Sequence, residues 1–60
     1  MAITEVKDLI SEKLNWYVRD IYYICTDQDL FDYYLVYKNH RIKCLAAIDK
    51  INKCVSGIWE

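Results

Sequence analysis

Apolar residues near the start of the chain recur at helical spacing. Ile3, Val6, Ile10, Leu14 and Tyr17 fall on one stripe, and Leu9 widens it. Lys7, Asp8, Ser11, Glu12 and Lys13 fill the opposite, wet side. Thr4 is suited to cap such a helix, with Glu5 and Asp8 in the first turns where the macrodipole favours acids. The pattern predicts a helix from Thr4 to Asn15, or on to Arg19.

The middle of the chain changes period. Tyr22-Tyr23-Ile24-Cys25 and Tyr33-Tyr34-Leu35-Val36-Tyr37 are aromatic and β-branched, the residue types that fit pleated surfaces. Thr26-Asp27-Gln28-Asp29 between them reads as a turn, and Lys38-Asn39-His40-Arg41 as a second. Asn39 and His40 tolerate the positive φ that a two-residue hairpin loop requires. With that loop, Tyr37 faces Ile42, Leu35 faces Cys44, Tyr33 faces Ala46 and Phe31 faces Ile48. All eight are apolar or aromatic, so this is the expected buried face. The other face then carries Lys38 with Arg41, Val36 with Lys43, Tyr34 with Leu45 and Asp32 with Ala47. Lys38 opposite Arg41 is a like-charge pair that weakens the match slightly.

The last third is ambiguous. Cys44, Ile48, Ile51, Val55 and Ile58 form a helical stripe, Ala46 and Ala47 favour helix, and Gly57 suits a helix end. Residues 42 to 48 also complete the hairpin. The expected fold is α+β: an N-terminal helix on a three-stranded antiparallel meander, with a strand from Arg41 to Ala47 and a short C-terminal helix from Asp49 to Ser56. The alternative is a three-helix bundle, with Thr26 and Asp29 opening a helix over Asp27–Tyr37. The aromatic and β-branched run at 33 to 37 tells against it.

Sixty residues allow one domain, 1–60, with marginal burial. A chain that is 55% hydrophobic, with one glycine and no proline, has the opposite profile from a disordered segment. The formal net charge of −1 lacks the basic excess of a dedicated nucleic-acid binder. The N-terminal residues lack the pattern of a secretory signal, and no apolar run reaches the length of a bilayer span. Cys25, Cys44 and Cys54 are an odd set, expected as reduced thiols in a cytoplasm. No membrane association is expected.

Candidate chemistry is sparse. The cysteines are 19 and 10 residues apart in sequence, without the close pair that pins zinc, so no metal or other cofactor is expected. His40 reads as a turn residue rather than a ligand or a base. No glycine-rich phosphate loop exists, and no nucleophile has an evident base. Enzyme activity is therefore not expected. Asp27, Asp29 and Asp32 form an acidic turn, which is either solvated or engages a basic partner.

The adjacent tyrosines carry more information. Neighbours in a strand point to opposite faces, so Tyr22-Tyr23 and Tyr33-Tyr34 cannot all lie under one helical layer. The hairpin register leaves Tyr34, Val36, Lys43 and Leu45 on the outer face, the expected protein interface. The chain is thus expected to be a small non-catalytic interaction module. It would be an inhibitor or adaptor that docks on a larger protein, such as one of host defence or nucleic-acid processing, or a homodimer. Size and composition suggest, by analogy only, a phage or mobile-element origin. The competing expectation is a nucleic-acid binder whose basic hairpin tip, Lys38, His40 and Arg41, works with nearby tyrosines.

Overall fold

A computed structural model describes all 60 residues, Met1–Glu60. Helix α1 spans Ile3–Leu14 and is followed by four strands, β1 (Asp20–Asp27), β2 (Phe31–Lys38), β3 (Arg41–Asp49) and β4 (Cys54–Trp59). The strands form one antiparallel sheet in the order β1-β2-β3-β4. This corrects the expected α+β arrangement of three strands and two helices: the sheet has four strands, there is no C-terminal helix, and the molecule is not a helical bundle.

The helix forms where the periodicity places it. Val6 and Ile10 are buried on the sheet, and Leu14 packs beside them. Each such aliphatic side chain, when fully buried, stabilises by about 1.5–3 kcal/mol. Thr4 lies inside the helix rather than at its cap. The cap position is Ala2, which makes no side-chain hydrogen bond there. Asn15 ends the helix in the left-handed conformation, φ 64°, with its N–H donating to the Ser11 carbonyl at 2.9 Å. Ser11 is on the polar side by periodicity, yet its hydroxyl is engaged within the fold. Its Oγ accepts the Val18 N–H at 2.8 Å and ties the helix to the approach of β1. Tyr17 lies beyond the helix end and is 74% exposed.

The Asn39-His40 turn forms as the sequence predicts, with φ of 52° and 65°, Lys38 opposite Arg41 and Tyr37 opposite Ile42. The register then slips. Val36 pairs with Cys44, Leu35 with Leu45, Tyr34 with Ala46 and Tyr33 with Ala47, leaving Lys43 as the unpaired residue of a bulge. The slip reverses the expected face of β2 and preserves that of β3 only from Cys44 onward; Ile42, expected on the buried face, is 61% exposed. The helix-covered face is built from Tyr34, Val36, Cys44, Ala46 and Ile48, all buried.

The helical stripe of the C-terminal third has a different origin. Cys44 and Ile48 lie on one face of β3 with Ala46 between them, the period-two pattern of a strand. Ile51 belongs to the β3–β4 turn and is 74% exposed. Val55 and Ile58 both pack toward the core because Ser56 is bulged between them, turning a spacing of two into three. Asp49 holds the turn: Oδ1 accepts the N–H groups of Ile51 (2.9 Å) and Asn52 (3.0 Å). Asp and Asn in these roles are the turn signal that the apolar spacing obscured.

Candidate interaction face

One twelve-residue helix can cover only one side of a four-stranded sheet. Directly paired residues share a face and successive ones alternate. The side away from α1 is therefore made of rows that cross all four strands. One row is Tyr22, Leu35, Leu45 and Trp59. The next is Cys25, Tyr33, Ala47 and Gly57, and the third is Asp27, Phe31, Asp49 and Cys54. Tyr37 and Ile42 extend the face toward the hairpin tip.

No helix or further strand lies over this face, although Ala47 within it is buried, at 2% exposure. Tyr22 is 61% exposed and Trp59 53%, while Phe31, Tyr33, Leu35, Tyr37 and Leu45 are half-buried by one another. Trp59 lies across Gly57: a Cβ at Gly57 would stand 2.7 Å from the Trp59 ring carbon Cη2. The glycine is thus the seat of an aromatic ring, not a helix end. The register places no lysine, arginine or histidine among the paired residues of this face.

The residues expected to form the interface are redistributed. Tyr34 and Val36 are in the core, with Tyr34 only 5% exposed. Burial, and secondarily nearby Asp32 and Tyr23, push the Tyr34 phenol above its ordinary pKa. Leu45 is on the open face, and Lys43 projects from the bulge, where Nζ pairs with Glu60 Oε1 at 3.2 Å. The four do not make one patch, because the slip moved Tyr34 and Val36 to the other side of the sheet.

The basic tip also divides. Lys38 turns toward the helix side, with Nζ 4.8 Å from the centroid of a Trp16 ring. His40 and Arg41 are exposed at the turn. Of the acidic turn, Asp27 and Asp29 are exposed. Asp32 faces the helix side, where it accepts a hydrogen bond from Thr26 Oγ1 and lies 3.9 Å from Lys50 Nζ. Thr26 Oγ1 is in turn 2.6 Å from the Tyr23 hydroxyl. This makes Asp32 part of a packing network rather than of an acidic knob.

Cys44 is buried, and burial raises its thiol above the ordinary pKa, with Glu60 adding to the effect and Lys43 opposing it. Cys25 and Cys54 are exposed. No group of three or more histidine, cysteine or carboxylate side chains stands close enough to hold a metal ion, and no helix is long and apolar enough to cross a membrane.

The open face was missed from sequence because either side of β2 reads as apolar. No protein-family model, curated protein or solved structure matches the chain. Its own geometry therefore carries the functional reading.

Proposed function

We propose that the protein is a non-catalytic interaction module that binds protein through its open sheet face. The observation that supports this is the contiguous apolar and aromatic surface of Tyr22, Tyr33, Leu35, Leu45 and Trp59, which the single helix leaves uncovered. Large exposed apolar patches are uncommon on proteins that act alone, and aromatic residues are enriched where proteins dock.

The separation of charge from aromatics favours a protein over a nucleic acid. Sheet faces that bind single strands combine stacking rings with basic groups on the same surface. Here Lys38 and Arg41 register with the helix side, and Lys43 is engaged by Glu60. A fluorescent oligonucleotide should show no binding at about 50 mM salt, where phosphate contacts are strongest.

The docking face is tested by placing a photoreactive phenylalanine analogue at Tyr33 or, as a control, at Lys7 on the helix, with the protein expressed in cells. Protein adducts, to itself or to another chain, are expected from position 33 and not from position 7. Equal yields from both positions, or none from position 33, would refute the assignment.

A further inference from the structure

We draw no further inference here: the strongest candidate, the apolar face of the sheet opposite α1, carries nothing beyond the docking reading because nothing in the structure shows what covers it.

Discussion

Trp59 and Gly57 make the structure of the open face testable by a reversal of sign. The Gly57 backbone is not in the positive-φ region, so alanine is compatible with its conformation. In an ordinary strand, replacing glycine by alanine stabilises by about 0.5–1 kcal/mol through backbone entropy. Here the added Cβ would stand 2.7 and 3.0 Å from two carbons of the Trp59 ring, too close for both to remain in place. The indole must leave its seat. Trp59 is 53% exposed, so roughly half of a tryptophan's surface, on the order of 100 Å², is covered at present. At about 25 cal/mol per Å² that contact stabilises by at most about 2.5 kcal/mol, and losing most of it exceeds the entropic gain. Gly57→Ala should therefore destabilise by about 1 kcal/mol. In a Trp59→Ala background the same change should stabilise by about 0.5–1 kcal/mol. Urea denaturation of the four proteins at one shared concentration, followed by circular dichroism, measures this cycle. An effect of Gly57→Ala that is the same in both backgrounds would show that the ring does not rest on the glycine.

Ser11→Ala should cost about 1–2 kcal/mol, because the half-buried approach to β1 loses the acceptor of the Val18 N–H; an unchanged urea midpoint would exclude that role. Asp49 is held below the ordinary carboxylate range by the Asn52 backbone N–H and side chain first, with Ile51 contributing in the same direction. A carboxylate lowered in the folded state contributes stability that is present above its unfolded pKa of about 3.9 and is lost as pH falls through the folded value. Asp49→Ala should accordingly reduce the acid-side slope of stability against pH, and an identical slope in the variant would refute this. In dilute solution, iodoacetamide should modify Cys25 and Cys54 promptly and Cys44 only after unfolding; three equal rates would contradict the burial of Cys44.

The sequence alone determined the elements whose signals are local. The N-terminal helix follows from Val6, Ile10 and Leu14, and the Asn39-His40 turn from two residues that accept positive φ. The strand character of 33 to 37 follows from its aromatic and β-branched residues. Tertiary structure decided which side of each strand is buried and that the last segment is a strand. The reason is the bulges at Lys43 and Ser56. An extra residue shifts every later pairing by one and exchanges the two faces, and at Ser56 it turns a strand's alternation into a helix-like spacing. With Tyr33, Tyr34, Leu35 and Val36 all apolar or aromatic, β2 is amphipathic in neither direction. Only the match of Tyr34 and Val36 to Ala46 and Cys44 beneath the helix assigns Tyr33 and Leu35, with Leu45, to the open face.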